Sequence, residues 1–503
     1  MFTYSSFVYK NENTPFPFSV PTSKDYKVYL NGKEIPVYSC RISAYPMNRA
    51  WPGFQRPISQ TELASFVNLV TNEEVEITVE PLTKTAFKKA MLKPYASGIN
   101  VQVNNGKITF TLAKNGTFVL ELDDYHGLLY VFNNAPVPCE NQESVTHYFG
   151  AGVHFPGKIT LKSNESIYLE KDAYVYGCVY AENAQNIRIY GNGIFDNSTE
   201  ERITEHCYEN YTNGNLKLYD CKDVFIKGVG FTNSSIWCIN FFHCFDVFVD
   251  SINVFGQWRY NSDGIDFVNS QRVKVLNSFF HSFDDSITVK GVDRFGFENN
   301  CDMLFENCTL ICDWGIAMEI GFETECQEIH DITFKNCNVL RGGNIVCDIQ
   351  NGDGAKIHNV VFENITVEHE FFHTKPMNQF SNEQEYTLKD TTKISALLRV
   401  RNPRFREMYS FLSPGTGDLS KKGTKEYASA CDITVKNVKI YASEEFASNF
   451  KKDCAIISID NIFPTTEYKN IVVENVTLLG KKLEREDMNI EINGCKEDVL
   501  IVK

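Results

Sequence analysis

The stretch NSDGIDFVNSQRVKVLNSFFHSFDDSITVK, residues 261–290, carries acids in two groups: Asp263 and Asp266 near its start, the adjacent pair Asp284 and Asp285 near its end. Asp263 and Asp284 stand 21 residues apart, about one turn of a β-solenoid. Between them lies RVKVLNSFF, residues 272–280, whose alternating β-formers read as strand. If that run is one strand of a solenoid, Asp263 and Asp284 fall at nearly the same angular position on neighbouring coils. Strands stack at roughly 4.8 Å, so the carboxylates converge.

The pattern of residues 272–280 recurs along the chain, with a polar residue first, β-formers second and fourth, and usually Asn or Gly sixth. Copies begin at Asn186, Asp223, Asp246, Arg272, Asp302, Asp331, Asn359, Asp432 and Asn470. From the third copy to the seventh the spacing stays between 26 and 30 residues, which marks a repeat architecture. The sixth position holds Asn277, Asn307, Asn336, Asn364, Asn437 and Asn475, with Gly191, Gly228 and Ser251 in the early copies. A right-handed parallel β-helix explains this choice. Each coil turns between two short strands, Asn tolerates the left-handed backbone there, and its amide bonds the Asn above and below. Those Asn residues are architecture, and Val273, Val275, Phe305, Ile332, Phe334, Val361 and Ile365 are expected to fill the interior.

Working outward, residues 1–147 read as an antiparallel β-sandwich and residues 148–503 as the β-helix, an all-β chain of two domains. YKVYL at residues 26–30 runs into Asn31 and Gly32, and VQVN at 101–104 into Asn105 and Gly106, which are hairpin signals; residues 74–80 alternate as well. Residues 41–66, with Trp51, Phe54 and Arg56, are less regular and read either as a segment packed on the next domain or as a sugar-contacting loop. Residues 197–216 delay the second copy, and an insertion at 370–430 separates the seventh from the eighth. The longer insertion holds Arg399, Arg401, Arg404 and Arg406 with Phe405 and Tyr409, and Pro403 argues against one continuous helix. It reads as a binding face or as a flap over an edge of the coils.

A formal charge of −15 over 503 residues, with no basic block, argues against nucleic acid and sits awkwardly with a polyanionic substrate. The first twenty residues lack a basic segment followed by an apolar run, and no stretch of about 18 apolar residues follows. The expectation is a cytoplasmic protein with no membrane partner, secreted only if a leader has been removed. The sixteen cysteines show no CxxC pair; Cys308 and Cys337 each follow a repeat Asn. They read as buried thiols in a reducing compartment, with neither a disulfide framework nor a metal site.

Adjacent Asp284 and Asp285 are unusual before a strand, because alternation sends one of the pair inward at a cost. The pair reads as chemistry or as an acid-rich turn. Convergent acids that cannot all ionise are the equipment of glycoside hydrolysis, in which one carboxyl protonates the leaving oxygen and another activates water.

With these residues in view, the sequence resembles glycoside hydrolase family 28, the polygalacturonases. Asn261-Ser-Asp263 is similar to that family's Asn-Thr-Asp element, and residues 283–291, FDDSITVKG, to its Asp-Asp element. AGVHFP at 151–156, GNGIFD at 191–196 and NSSIW at 233–237 extend the likeness over roughly residues 148–370. The resemblance implies a right-handed β-helix and an inverting hydrolase needing no cofactor and no metal. Asp284 would be the general acid, with Asp263 and Asp285 positioning and deprotonating water, and Asp266 a turn-stabilising residue. Asn261 belongs to the matched element. Lys290 lowers a neighbouring carboxylate's pKa and holds a sugar hydroxyl, or is a solvated lysine at a coil edge.

Departures from the family bear on substrate. In place of a Gly-His-Gly element the chain reads DWGIAMEIGFE, residues 313–323; in place of Arg-Ile-Lys it reads NIVCDIQ, residues 344–350. Glu319 and Glu323 suit hydroxyls and repel a carboxylate, while Trp314 or Trp237 offers a face for a pyranose ring. The expectation is an exo-acting hydrolase of a neutral or partly charged oligosaccharide or polysaccharide. A sandwich ahead of a β-helix is also similar in layout to glycoside hydrolase family 49, the dextranases and isopullulanases. The alternatives are a polygalacturonase, a non-catalytic glycan-binding β-helix, and a calcium-dependent lyase. Oligomeric state is left open.

Overall fold

In the computed structural model, which describes residues 20–44, 58, 61–201, 213–295, 298–369, 395–402, 428–462 and 466–503, the nine-residue pattern forms the corner between two strands of a parallel β-helix. Each central coil carries three strands. One runs Ile265–Val268, Gln271–Leu276 and Phe279–Ser282; the next runs Ile287–Gly291, Asn300–Glu306 and Thr309–Cys312. Parallel pairing sets Ile265 opposite Ile287 and Val273 opposite Met303.

Two residues per pattern hold left-handed backbone. Asn277, Asn307, Asn336, Asn364, Asn437 and Asn475 all have φ between 50° and 57°, as the corner requires. The first position does the same, from Asp246 (58°) through Asp302 (57°) to Asn359 (55°), which accounts for its preference for Asp and Asn. Arg272 is the exception in type, and its Nε donates to Asp246 Oδ1 at 2.6 Å. The amide ladder runs from Asn475 to Asn437 (2.8 Å), Asn437 to Asn364 (3.1 Å) and Asn364 to Asn336 (2.9 Å). It breaks where Asn336 turns instead to Glu306 Oε1.

Inside the coils, Val273, Val275, Phe305, Ile332, Phe334 and Ile365 are buried. Val361 departs from expectation. It is the third residue of its copy, so Val360 and Phe362 point inward and Val361 faces out, half-buried. Phe305, Phe334 and Phe362 stack at 4.6 and 5.0 Å, and Cys308 and Cys337 pack in the same core. All cysteines among the described residues are free thiols.

The N-terminal sandwich consists of two five-stranded sheets. Asn31 and Gly32 (φ 47° and 78°), and Asn105 and Gly106 (50° and 76°), make the expected hairpin turns. The domain is not wholly antiparallel, however, because Asp124–Asn134 runs parallel to Thr61–Val70. Between these strands the chain crosses to the opposite sheet twice, at Val75–Pro81 and again at Gln102–Asn104 and Lys107–Leu112, before Asp124–Asn134 runs in the same direction as Thr61–Val70. The ends of the irregular stretch 41–66 are also strand, with Arg41 opposite Leu63; Trp51, Phe54 and Arg56 lie outside the described residues. Phe66 and Phe132 seat the sandwich on the helix against Phe255 at 4.9 and 4.8 Å.

The insertion expected at 370–430 is not one block. Ala396–Arg401 is a coil strand, paired with Ile345–Gln350 on one side and Ile456–Asp460 on the other. Arg404, Phe405, Arg406 and Tyr409 lie outside the described residues. No helix among the described residues is long and apolar enough to cross a membrane.

Candidate active site

The first strands of successive coils set Asn240, Asp266, Thr288, Glu319, Asp348 and Arg399 in one column. Their strand neighbours Ile265, Phe267, Ile287, Val289, Met318 and Ile320 belong to the core, so alternation turns the column the other way. Counting back from the pair Ile265 and Ile287 brings Asp263 level with Asp285, with Asp284 one residue earlier. The Gly264 N–H fixes this register by donating to Asp285 O at 2.7 Å.

Lys290 is the centre of the acids. Its Nζ lies 3.3 Å from Asp263 Oδ2, 3.4 Å from Asp266 Oδ1 and 3.7 Å from Glu323 Oε2. Burial acts to lower the Lys290 pKa, but Glu323, Asp263, Asp266 and Asp285 together outweigh it and hold the ammonium above its ordinary value. One cation does not neutralise this many acids. Burial pushes Asp263 well above the carboxylate range, with Asp266 adding and Lys290 opposing. Asp284 is raised the same way, by burial first and the Asp285 charge second. Asp266 rises to about 6 through burial, restrained by Lys290 and by the Thr288 hydroxyl, which donates at 2.6 Å. Glu319 is raised by burial and then by Asp285, whose carboxyl lies within hydrogen-bonding reach.

Backbone and amide donors orient the pair that follows. Asn261 Nδ2 donates to Asp284 Oδ2 at 3.3 Å, and the Ile316 N–H to Asp285 Oδ1 at 2.9 Å. Gly315 closes over both, since a Cβ there would stand 2.5 Å from Asp285 Oδ1 and 2.6 Å from Asp284 Oδ1. Asn261, Asp285, Trp314 and Glu323 are half-buried and form the wetter side, whereas Asp263, Asp266, Asp284 and Glu319 are buried.

All ten residues singled out from the sequence, Asp266 included, thus fall on or beside one cluster, though not always in the expected role. Asp266 is no turn residue; it sits within a strand and binds Lys290 and Thr288. Lys290 is not a solvated edge lysine, being 4 % exposed. Trp237 is buried with Lys290 Nζ 3.8 Å over its ring, so the indole is a floor for the lysine and not an open sugar platform. Trp314 stacks on Phe283 with ring centroids 6.1 Å apart.

The structure also revises the contrast between acids and missing bases. Asp348 and Gln350 stand where bases were sought, but the next coil places Arg399 opposite Asp348 and Arg401 opposite Gln350. Arg399 binds Asp348 through both Nε (2.9 Å) and an Nη, and Arg401 binds Gln350 Oε1 likewise (Nε 2.8 Å). The alternation in ALLRVR, residues 396–401, was the available signal. Among the described residues no group of three His, Cys, Asp or Glu side chains is disposed to hold a metal ion.

The model of glycosyl hydrolases family 28 matches residues 130–456. Among solved structures, Dex49A from Penicillium minioluteum is similar at 15% identity and a TM-score of 0.56, covering 97% of this chain and 89% of that one. A hyperthermoactive exopolygalacturonase from Thermotoga maritima shares 17% identity at a TM-score of 0.47, over 70% and 84% of the two chains. A family 28 exopolygalacturonase from Yersinia enterocolitica shares 13% at 0.39, over 97% and 95%. A comparison with curated proteins finds no match.

Proposed function

The chain belongs to glycosyl hydrolases family 28, and from that premise we propose that it hydrolyses a neutral or partly charged oligosaccharide from the chain end, with inversion, using Asp284 as acid and Asp263 with Asp285 at the water. The observation that carries this reading is the crowding of Asp263, Asp266, Asp284, Asp285, Glu319 and Glu323 about the single ammonium of Lys290. Burial first and the Asp285 charge second raise the proton affinity of Asp284 well above the carboxylate range, the direction a general acid needs. Asp284 gives that proton to the glycosidic oxygen as the bond to the anomeric carbon breaks. Water attacks from the opposite face, and its proton passes to Asp285, whose Oδ1 is held by the Ile316 N–H. Asp263, held by Lys290, orients the water.

Neutral sugar is favoured because the arginines beside the acids are already engaged: Arg399 is ion-paired with Asp348, and the Arg401 fork is taken up by the Gln350 amide oxygen. A second reading draws on the same arginines. If a uronate displaces Asp348 from Arg399, the substrate is a galacturonide. A hydrolysis screen separates the two, using wild type and Asp284→Asn against neutral α- and β-linked oligosaccharides and oligogalacturonides, with and without chelator. Cleavage of a neutral glycan by wild type only, unchanged by chelator, is expected. Cleavage of galacturonides alone overturns the neutral assignment, and loss of activity in chelator overturns the metal-free mechanism.

A further inference from the structure

The position of one proton follows from a chain of hydrogen bonds across three coils. Gln350 Oε1 accepts from both Nε and an Nη of Arg401, and a guanidinium only donates. The other end of that amide is therefore its NH2, which donates to Glu319 Oε1. Glu319 Oε2 remains, buried and without a donor of its own, and the neighbouring carboxyl that acts on Glu319 by charge and by a side-chain hydrogen bond is that of Asp285. Asp285 Oδ1 is already taken by the Ile316 N–H. Two carboxyl groups in contact are stable only with a proton between them. Glu319 is 1 % exposed against half-buried Asp285, so burial favours the neutral form on Glu319.

We propose that Glu319 is a neutral positioning residue, donating a hydrogen bond to Asp285 that keeps this carboxylate aimed at the attacking water, with Gln350 and Arg401 locking the donor in place. The inference rests on the reading of Asp285 as the carboxylate that takes the water proton. Glu319 keeps its own proton through the cycle: the Asp284 proton leaves with the departing oxygen, and the water proton arrives on Asp285. Arg401 then serves orientation from two coils away and does not contact sugar.

Glu319→Gln tests this, because an amide can donate to Asp285 where the protonated carboxyl did. On full-length protein and the oligosaccharides of the screen above, Glu319→Gln is expected to keep kcat within about threefold of wild type, whereas Glu319→Ala loses about 10²-fold, the scale of impaired acid–base help. Equal losses in both variants overturn the proposal. Infrared difference spectra of wild type minus Glu319→Gln near neutral pH supply a readout independent of turnover. The carbonyl stretch of a protonated carboxyl is expected; the paired bands of an ionised carboxylate overturn the proposal whatever the activity. Asp285→Asn keeps the two readings apart. If that variant retains full turnover, the role of Asp285 is what fails, while the infrared spectrum still reports the proton on Glu319.

Discussion

Asp263 and Asp313 are equally hidden, 1 % and 0 % exposed, yet their affinities for protons move in opposite directions. Asp313 lies where the β-helix meets the sandwich. Its Oδ2 faces His281 Nε2 at 3.0 Å, its Oδ1 accepts from Arg341 Nη2 at 2.7 Å, and the far side of His281 meets the Tyr130 hydroxyl of the sandwich. Burial opposes ionisation of Asp313, but His281 and Arg341, by charge and by hydrogen bond, outweigh it and hold its pKa below the usual range. Asp263 shares one ammonium with Asp266 and Glu323, and its Oδ1 has no partner. The same degree of burial thus accompanies a lowered proton affinity in one place and a raised one in the other. The number of donors per oxygen decides which.

The largest effect should come from the cluster where donors are short. Asp284→Asn removes the transferable proton while keeping size and is expected to lower kcat by about 10⁴-fold with binding nearly unchanged, the upper range for general acid catalysis. Initial rates together with calorimetric binding check it, and near-full activity would assign the acid elsewhere.

At the other pole, Arg341→Met leaves Asp313 buried with one partner fewer. Global stability should fall by about 3 to 5 kcal/mol, as for a broken buried pair, and chemical denaturation measures it. A change within error would mean that Asp313 is held by His281 alone.

A third carboxyl sharpens the contrast through pH. Glu368, where the sandwich strand Ala90–Lys93 meets the helix strand Thr366–His369, is raised to about 8 by burial, against Lys93 and helped by Glu121. Its folded value lies above the unfolded one, so its contribution is full below the ordinary glutamate range and is lost as pH rises through about 8. Asp313 behaves oppositely: its contribution is present above the ordinary aspartate range and is lost as pH falls through its lowered value. Denaturation midpoints should therefore decline toward the alkaline side in wild type and less steeply in Glu368→Gln. Parallel curves for the two proteins would remove Glu368 from the linkage.

The smallest effect belongs to the ladder. Asn437→Ala loses one amide bond on each side and places Ala at a φ of 56°. It should cost about 1 to 2 kcal/mol and leave kcat unchanged. A change in turnover would give the ladder a role beyond architecture.

These contrasts were unequally legible in the sequence. The coils were readable because a corner must be rebuilt every turn, so the demand for left-handed backbone repeats and Asn277 through Asn475 advertise it. Asp263, Asp284 and Asp285 were readable because their spacing matches a coil. What escaped was register across long gaps. Arg399 faces Asp348 from 51 residues away, and strand pairing across that distance leaves no local mark beyond the alternation of its own strand. The Trp237 indole looked like a sugar platform because its cover, Lys290, comes from a coil two turns later. Likewise, nothing local to Tyr130 or Arg341 indicates that they meet around His281 and Asp313 at a domain interface. Val361 was misplaced by a single position, and at a period of two one position reverses the face.

The central claim is that the acid cluster directs water to the anomeric carbon opposite the leaving oxygen. Proton NMR of the first-formed product, recorded before mutarotation on an oligosaccharide of known linkage, tests it most directly. The account predicts the anomer opposite in configuration to the bond cleaved. A product of the same configuration would contradict it, since retention requires a carboxylate nucleophile and a covalent intermediate.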